Sequence, residues 1–339
     1  MIQVKIDGVK ISPIDITITK DLNNCCGDIQ INVPGLEVKV NSEVLATIND
    51  KPIVRGRIEQ KSVSMSTGEL ISGLYARDYT SILVDSTVPT SARVFKTGSS
   101  LELICKKVLG DLGSKIQVIN KAGNIEPFKA SERIVANAGQ NALDFLSSYA
   151  RKRNVFLNTD GAGNLVLFRI EDPEDVDYAL TNIIDADLSI DFSGRFNKCI
   201  VLSQAEIYDD WGSAGSVNVR GEAQDPEIKD KELELQAETT MNRKECQSRA
   251  QEEVNIRRAR SLTLRVKVLG HDYKIGDMVE VSTLGVSGIF LIEGLSYVQG
   301  LEELYTELDL TYPDAFAVKA DMDSKTARKI NISKHVRMP

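Results

Sequence analysis

The chain of 339 residues carries 41 Lys and Arg against 49 Asp and Glu, so its formal net charge at pH 7 is −8. This length predicts two or three domains, because single domains mostly have about 100–200 residues. Hydrophobic residues make up 42% and charged residues 27%, a globular composition that excludes a disordered chain. Apolar runs such as residues 289–292 are far shorter than the roughly 20 residues that cross a bilayer, so we expect no membrane insertion. Residues 1–10 lack the pattern of a secretory signal, and we expect synthesis and assembly in the cytoplasm.

The few cysteines and histidines restrict metal and redox chemistry. No C-x-x-C spacing occurs, and an odd number of scattered cysteines is typical of buried free thiols in a reducing compartment. The five are Cys25, Cys26, Cys105, Cys199 and Cys246. With only His271 and His335, a His-rich metal cluster is excluded and a Ser/His/Asp triad would need one of these two. We therefore expect no metal and no cofactor.

Residues 2–80 have the pattern of β-strands. Residues 14–19 and 28–33 alternate apolar and polar side chains, which places one face on a core and the other in water. Turn residues at 49–50 and 67–68 separate further strand-like runs. Five or more antiparallel strands in this length predict a small barrel or sandwich, so we assign residues 1–92 to a first β-barrel domain.

The period changes to that of helices between residues 93 and 172. Ser99 and Glu102 have the spacing of a capping box, with Ser99 as the N-cap of a helix that ends at Gly113. A second helix is predicted over residues 141–153, followed by a hairpin over residues 155–168. We expect residues 93–172 to form a compact α+β domain of two helices and a hairpin.

Residues 171–191 contain eight acidic residues and no basic one, which equals the whole net charge. A solvated acidic loop is the simplest interpretation. Contact with another subunit or tail protein is the alternative, and it singles out Asp172, Glu174 and Asp175 as candidate interface residues.

The last third of the chain returns to β-strands around a helical insertion. Residues 197–207 predict a strand, residues 208–228 a mobile loop rich in Gly and Asp, and residues 241–259 a charged helix with a narrow apolar stripe. A narrow stripe favours a helix on a surface or at a subunit contact. Further strands are predicted at 261–269, 278–282, 289–297 and 303–310.

These elements define an α+β fold that is mainly β. We assign residues 173–207 and 261–315 to a second β-barrel domain and residues 208–260 to a loop and helical insertion within it. Residues 316–339 form a basic C-terminal tail without a periodic apolar face, which predicts a solvated segment.

A short internal similarity links the two β regions. Ile58-Glu59-x-x-Ser62 followed by Glu69-Leu70 recurs without a gap as Ile292-Glu293-x-x-Ser296 followed by Glu303-Leu304. Five matches in thirteen positions are compatible both with chance and with duplication. If they reflect duplication, two related β domains flank the helical middle.

Signatures of catalysis and of phosphate binding are missing from the sequence. It contains no P-loop, no dinucleotide fingerprint, no H-E-x-x-H and no G-x-S-x-G. Ser287 stands between glycines, but a β-hairpin turn explains that pattern, and His271 is best interpreted as a loop residue. A pI of about 5.1 and the lack of basic stripes argue against a clamp on nucleic acid. Pairs of acids in residues 171–191 leave a glycosidase-like mechanism open.

One segment carries a family resemblance. Residues 73–87 are similar to the "G-R-s-x-t-x-D-L-V-D-C-S" stretch of baseplate hub proteins of Mu-like contractile-tailed phages, a hub family shared with late-control D-type proteins. The cysteine of that stretch is absent and Ile82 replaces its first Asp. The matching residues are Arg77, Leu83, Val84, Asp85 and Ser86. Residues 2–8, 141–168 and 274–281 resemble further segments of the same family in the same order.

This resemblance implies a structural, non-enzymatic hub with two barrel domains per chain. Such hubs are homotrimers that join a three-fold central spike to a six-fold tail tube, initiate the tube and surround a channel through which DNA passes without specific binding. The implied location is the baseplate of the virion tail, after assembly in the host bacterial cytoplasm. The implied partners are the chain itself, the spike protein, and tube or other baseplate proteins.

Three other functions stay open at this point. A hub-like portion of a type VI secretion spike would be favoured by a fused, repetitive spike segment. A tail-associated cell-wall hydrolase would use acids in residues 171–191. A carbohydrate-binding module is disfavoured by the single tryptophan, Trp211, and by an aromatic content of 6%.

Overall fold

The computed structural model describes most of the chain, in which β-strands predominate. The described residues are 1–35, 37–66, 68–129, 132–170, 176–208, 214–237, 241–270, 273–300, 304–313 and 336–337. Asp172, Glu174, Asp175, His271, His335 and Trp211 lie outside them, as does most of the predicted C-terminal tail.

The first β region comprises seven strands whose side chains alternate between core and solvent, as the sequence predicts. In the third of these strands, for example, Ile16 and Ile18 are fully buried, while Thr17 and Thr19 lie on the opposite face and are more exposed. The strands are β1 (Ile2–Ile6), β2 (Val9–Ile11), β3 (Asp15–Asp21), β4 (Asn24–Pro34), β5 (Glu43–Ile48), β6 (Lys51–Ser66) and β7 (Glu69–Asp78).

The middle region contains three helices and short strands around its own core. It comprises α1 (Ser81–Asp85), a 3-10 turn (Thr90–Ala92), β8 (Val94–Phe95), α2 (Leu101–Asp111), β9 (Val118–Asn120), β10 (Ile134–Val135), α3 (Ala142–Arg151), β11 (Phe156–Thr159) and β12 (Leu165–Phe168). The predicted helices and hairpin are confirmed here, but the region begins before the predicted residue 93, because Leu83, Val88 and Ala92 are buried in its core. The start of α2 is also shifted. The N-cap of α2 is Ser100, not Ser99, because the Ser99 hydroxyl instead donates to the Lys96 carbonyl.

The second β region is interrupted by an insertion that begins earlier than predicted. The strand at residues 197–207, which the sequence analysis assigned to the second barrel, pairs instead with β-strands of the insertion. The strands of the second β region are β13 (Tyr178–Ala179), β14 (Ile183–Ile190), β18 (Leu262–Leu269), β19 (Met278–Thr283), β20 (Val286–Gln299), β21 (Leu304–Thr311) and β22 (Val336–Arg337). The insertion, residues 191–261, holds β15 (Lys198–Tyr208), β16 (Ala214–Gln224), β17 (Glu232–Gln236) and α4 (Arg243–Arg260). Cys246, Ala250 and Val254 of α4 pack on the sheet β16-β15-β17, which accounts for the narrow apolar stripe.

Two further sequence-based interpretations of this half of the chain are wrong, and a third falls mostly outside the described residues. The expected mobile loop at residues 208–228 contains β16, which pairs with β15 along its whole length. The expected acidic loop at residues 171–191 contains β14, in which Ala186 and Leu188 alternate with acids and serine. In the expected solvated tail, Val336–Arg337 forms β22 on the edge of β20.

The two β regions do not form two closed barrels. Within the described residues, eleven strands of one 14-stranded sheet follow the open order β14-β18-β21-β20-β3-β4-β7-β6-β5-β1-β2. The other three branch from β20, on which β19 and β22 pair, while β13 pairs with β19. Its join is the antiparallel pairing of β3 with residues 294–299 of β20. The physical reason is a bulge at Glu293, because β19 pairs with β20 only up to Leu291 and leaves the later residues free to accept β3.

The two β regions repeat one strand order. Starting from their first long strands, the first region reads β3-β4-β7-β6-β5-β1 and the second reads β14-β18-β21-β20-β19-β13. The short sequence similarity falls on corresponding hairpins, β6–β7 and β20–β21. Both hairpins carry a bulge at the glutamate of the repeat, since pairing shifts at Glu59 in one and at Glu293 in the other. Corresponding residues are paired as well, Ile58 with Ala76 and Ile292 with Leu310.

Candidate assembly interface

The family-motif residues meet where the first β region joins the middle region. The Arg77 guanidinium donates to Glu59 through Nε at 2.7 Å and to Asp85 at the end of α1 through both terminal nitrogens. These two carboxylates raise the pKa of Arg77, so its charge is permanent. Arg77 therefore ties the bulge of β6 to the start of the middle region.

The other motif residues anchor α1 against α3. Leu83 is fully buried in the core of the middle region. The Val84 carbonyl accepts a hydrogen bond from the Asn141 side chain at 2.6 Å, and the Ser86 carbonyl accepts one from the Ala142 amide at 2.8 Å. These contacts are architectural, and no catalytic group is needed to explain the motif.

A buried carboxylate lies beside this motif. Asp78 is fully buried and accepts hydrogen bonds from the Thr159 hydroxyl at 2.8 Å and from the Thr80 amide and hydroxyl at 3.3 Å each. Burial raises its pKa to about 6, although these bonds and the positive charge of Lys20 oppose the rise. Asp78 thus links β7 to β11 of the middle region.

The sheet has a continuous polar face opposite its hydrophobic core. Cross-strand pairing places Asp187, Arg265 and Asp309 side by side, and the same face continues through β20 and β3 to β6. Between β3 and β6 it forms a shallow groove of about 420 Å³ lined by polar side chains such as Thr17 and Gln30. Acids outnumber bases on this face, with Asp15, Asp21, Asp28, Asp185, Asp187, Glu307 and Asp309 against Arg57, Arg77, Arg265 and Lys267.

Two long strand edges of the sheet are open. Residues 60–66 of β6 pair with β7 on one side, and no strand of the described residues pairs with their other side. Likewise β14 pairs with β18, and its second edge has no partner among the described residues. Open edges present unpaired N–H and C=O groups and are ready to accept another strand.

Apolar side chains along both open edges are exposed. Val63 and Met65 on β6 are 57% and 73% exposed, and Ile184 and Ile190 on β14 are 53% and 49% exposed. Exposed apolar groups at a strand edge indicate a surface that another protein covers. These two edges are the strongest candidates for a functional site in the described part of the chain.

The candidates for chemistry do not converge. Ser287 lies in the β19–β20 hairpin, opposite Ser282, as its turn-like sequence predicts. Asp185 and Asp187 are exposed on β14, and Asp177 accepts a backbone hydrogen bond from Met278 at 2.8 Å. Among the described residues, no three His, Cys, Asp or Glu side chains come together in a way that could hold a metal ion. No helix in the described part of the chain is long and apolar enough to span a membrane.

Sequence reasoning found the motif but missed the two open edges. Val63 and Met65 alternate with serines in a pattern that suits any half-buried strand, so nothing local shows that their cover is absent. The available signal was the internal similarity. Once the two hairpins are aligned, Val63 corresponds to Tyr297, whose side chain is 3% exposed.

Comparison with known proteins finds relatives among phage tail proteins. The chain is 22% identical to the baseplate hub protein gp44 of Escherichia phage Mu, over 92% of this chain and 88% of that protein. The resemblance to Mu-like hub proteins seen in the sequence is confirmed by this match. No protein-family model matches the chain.

Solved structures share the fold. The 43 kDa tail protein of prophage MuSo2 from Shewanella oneidensis matches with a TM-score of 0.79 and 21% identity, over 93% of this chain and 99% of that one. The E. coli protein c3393, a component of the type VI secretion system, matches with a TM-score of 0.57 and 11% identity, over 94% of this chain and 79% of that one. That protein is itself described as similar to the T4 tail proteins gp27 and gp5.

Proposed function

We propose that the chain is a structural baseplate hub protein of a phage or prophage contractile tail. Three copies form a ring that joins the three-fold spike to the six-fold tail tube. The observation that carries the proposal is the duplicated strand order, with matching bulges, in a sheet that leaves long open edges at β14 and at residues 60–66 of β6. The similarity to the phage Mu hub protein supports the same function.

The duplicated strand order suits a protein that joins a three-fold spike to a six-fold tube. Each chain presents two β regions of the same strand order, so three chains in a ring present six. Such a ring has three-fold symmetry in sequence and approximate six-fold symmetry in shape. It therefore provides a matching surface for a spike at one end and for a tube at the other.

The rim that meets the spike is the one where the two β regions differ. At this rim the β3–β4 turn contacts the middle region, because Asn158 donates to the Asp21 carbonyl at 3.0 Å. The insertion emerges at the same rim, since Glu293 accepts hydrogen bonds from Asn23 of that turn and from Arg260 of α4. A middle region and an insertion occur once per chain, so this rim has three-fold character and suits the spike.

The opposite rim suits the tube. The β6–β7 and β20–β21 hairpins have their last described strand pairs there, Ser66 with Glu69 and Gln299 with Leu304, and these hairpins correspond in register. A ring of three chains would display six such hairpins at nearly equivalent positions. This arrangement provides a template on which a six-fold tube begins to assemble.

The acidic polar face lines the channel in this proposal. Carboxylates such as Asp187 and Asp309 repel the phosphates of DNA, and the Arg265 side chain on the same face forms an ion pair with Asp309 at 2.8 Å. DNA would therefore pass through without specific binding. The purified oligomer is expected to show no retention of double-stranded DNA at low salt, and salt-sensitive binding would contradict this part of the proposal.

Light scattering and electron microscopy test the oligomer. The full chain is expected to have a mass about three times 37.4 kDa and to appear as a ring with a central opening. A monomer at high protein concentration would count against the hub. A trimer without an opening would count against the channel.

An enzymatic role is not part of the proposal. Within residues 171–191, Asp185 and Asp187 are exposed on the strand β14, whereas a general acid in a glycosidase needs burial to hold its proton. The purified protein is expected to leave cell walls intact. Clearing of peptidoglycan, lost on replacing one Asp in residues 171–191, would instead establish the hydrolase alternative.

A further inference from the structure

We propose that strand β14 of one copy pairs antiparallel with residues 60–65 of β6 in the neighbouring copy, with Ser189 opposite Ser62 and Leu188 opposite Val63. This inference rests on the proposed ring and adds the strands and the register that close it. The partner at each open edge is thus a second copy of the same chain.

The register follows from a junction that already exists within the chain. There, β3 of the first β region pairs with β20 of the second, with Thr19 opposite Ser296 and Ile18 opposite Tyr297. In the repeated strand order β3 corresponds to β14, and β20 corresponds to β6. The missing junction is therefore the same pairing with the two β regions exchanged. Within the described residues of one chain, both strands of that junction have an edge that is left without a partner.

The residue correspondence is set by cross-strand pairs. Ile18 lies opposite Ile29, and Leu188 lies opposite Leu264 at the equivalent place in the second region. On the other strand, Val63 lies opposite Ser72. Tyr297 likewise lies opposite Thr306. Leu188 is thus the counterpart of Ile18, and Val63 is the counterpart of Tyr297. Because Ile18 pairs with Tyr297 in the existing junction, Leu188 pairs with Val63 in the proposed one.

Burial on β6 shows that its cover is missing. Tyr297, in the junction that is present, is 3% exposed, whereas its counterpart Val63 is 57% exposed. Met65 is 73% exposed, whereas its counterpart Gln299 is half-buried and accepts a hydrogen bond from the Ile2 amide at 2.6 Å. Both exposed side chains lie on the core side of the hairpin, in line with the buried Leu74.

Burial on β14 gives the same result. Ile16 and Ile18 of β3 are fully buried, while their counterparts Ala186 and Leu188 are only half-buried. Pairing with β6 would cover both residues and add the backbone hydrogen bonds of an antiparallel ladder. Apolar residues then face one another on the core side of both strands.

The polar side of the proposed pair is also complementary. In the existing junction the hydroxyl oxygens of Thr19 and Ser296 are 3.2 Å apart. Their counterparts are Ser189 and Ser62, which preserve a hydroxyl pair at the same place. The proposed junction therefore matches the existing one on both faces.

A disulfide cross-link tests the register. Ser62→Cys and Ser189→Cys in one full-length chain, after mild oxidation, are expected to give covalent dimers and trimers on a non-reducing gel. Coexpression of the two single variants should give covalent dimers, which proves that the bond joins different chains. The five native cysteines are buried and give a low background.

The matched control moves one cysteine four residues along β14, as Ser62→Cys with Asp185→Cys, and is expected to give no cross-link. A trimer by light scattering without the Ser62–Ser189 cross-link, or with an equal cross-link in the control, overturns the register and leaves the hub intact. A protein that is monomeric before oxidation overturns the ring itself, and with it this junction.

Discussion

The two β regions share a strand order, but their side chains differ at the ends of the β6–β7 and β20–β21 hairpins that lie farthest from the hairpin turns. In the first region Gly56 lies opposite the buried Asp78. At the corresponding positions of the second region stand Phe290 and Tyr312, whose rings stack with centroids 6.0 Å apart. The same pair of positions is therefore occupied by a glycine and a carboxylate in the first β region and by two aromatic residues in the second.

The difference shows how a repeated unit was adapted to a neighbour. The first region must accept the β11–β12 hairpin, whose Thr159 bonds to Asp78 and whose Gly161 lies against the backbone carbonyls of Pro52 and Ile53. Large side chains would hold the hairpin away. The second region packs its aromatic pair into its own core instead, so shared register does not require shared side chains.

Replacement of Gly56 should cause the largest loss of stability. A Cβ at this position would lie 1.7 Å from the Arg77 carbonyl oxygen, so Gly56→Ala must displace the backbone of β7. We expect the free energy of unfolding to fall by about 3 kcal/mol or more. Chemical denaturation measures the change.

Gly110 provides the matched control. It lies in α2 with no atom within 4 Å of the position of an added Cβ, so Gly110→Ala should stabilise the protein by about 0.5–1 kcal/mol. Equal effects at the two glycines would show that the first region tolerates larger side chains at this register.

Val63→Asp should separate the subunits without unfolding them. The change places a carboxylate opposite the apolar Leu188 of the next copy in the proposed junction. An unpaired buried charge costs about 3 kcal/mol, which weakens each junction roughly 100-fold. Light scattering should show a shift from trimer towards monomer.

Val94→Asp is the control, because Val94 is 72% exposed in the middle region, away from both open edges. It should leave the trimer intact. A stable Val63→Asp trimer would mean that the open edge of β6 does not carry the association.

Asp78→Asn should flatten the pH dependence of stability. The pKa of Asp78 is raised to about 6 in the folded protein, above its ordinary value of 3.8, so ionisation is unfavourable in the fold. Stability from this group is greatest below pH 4 and is lost as the pH rises to about 6. The loss is about 3 kcal/mol at pH 7, since the pKa is raised by about two units and one pKa unit corresponds to about 1.4 kcal/mol.

The measurement is the free energy of unfolding of wild type and variant at pH 4 and pH 7. The isosteric amide can still bond to Thr80 and Thr159, so the fold should persist. An unchanged difference between the two pH values would show that Asp78 is not the group responsible.

The ion pairs at the two bulge glutamates, Glu59 and Glu293, should contribute differently to stability. This is the smallest of the expected effects. Arg77 holds Glu59 and Asp85 with a side chain that is 18% exposed, whereas Arg260 holds Glu293 with a side chain that is 48% exposed. Arg77→Gln should cost about 1–2 kcal/mol and Arg260→Gln less than about 1 kcal/mol, because exposure screens the second pair. Thermal unfolding measures the stability of both variants. A larger loss of stability for Arg260→Gln than for Arg77→Gln would contradict this prediction.

Most individual strands and helices were predictable, because their periodicity is local. The helix α3 and the strands β18 to β21 lie where the alternation places them. The strand β16 was missed because of its glycines, one of which is required by a close neighbour. A Cβ on Gly221 would lie 2.1 Å from the Gln247 amide of α4, so this glycine marks helix packing and not a loop.

The arrangement of the strands was not predictable in the same way. Barrel closure failed as a prediction because β3 pairs with β20, and nothing in residues 15–21 identifies a partner so far along the chain. The cap of α2 was ambiguous, since either of two adjacent serines can cap and only the bond from Ser99 to Lys96 decides. The open edges were recognisable only through the paired register of the two hairpins.

The pairing of β3 with β20 cannot form until most of the chain has been synthesised. The ribosome completes Asp21 long before it reaches Gly294, and at about 5–20 residues per second the delay is roughly 15–50 s. Throughout that interval the apolar edge of β3 is without its partner and is open to wrong pairings. A nascent chain of this protein is therefore most vulnerable to aggregation at its first completed sheet, and a chaperone that shields β3 until β20 emerges would raise the yield.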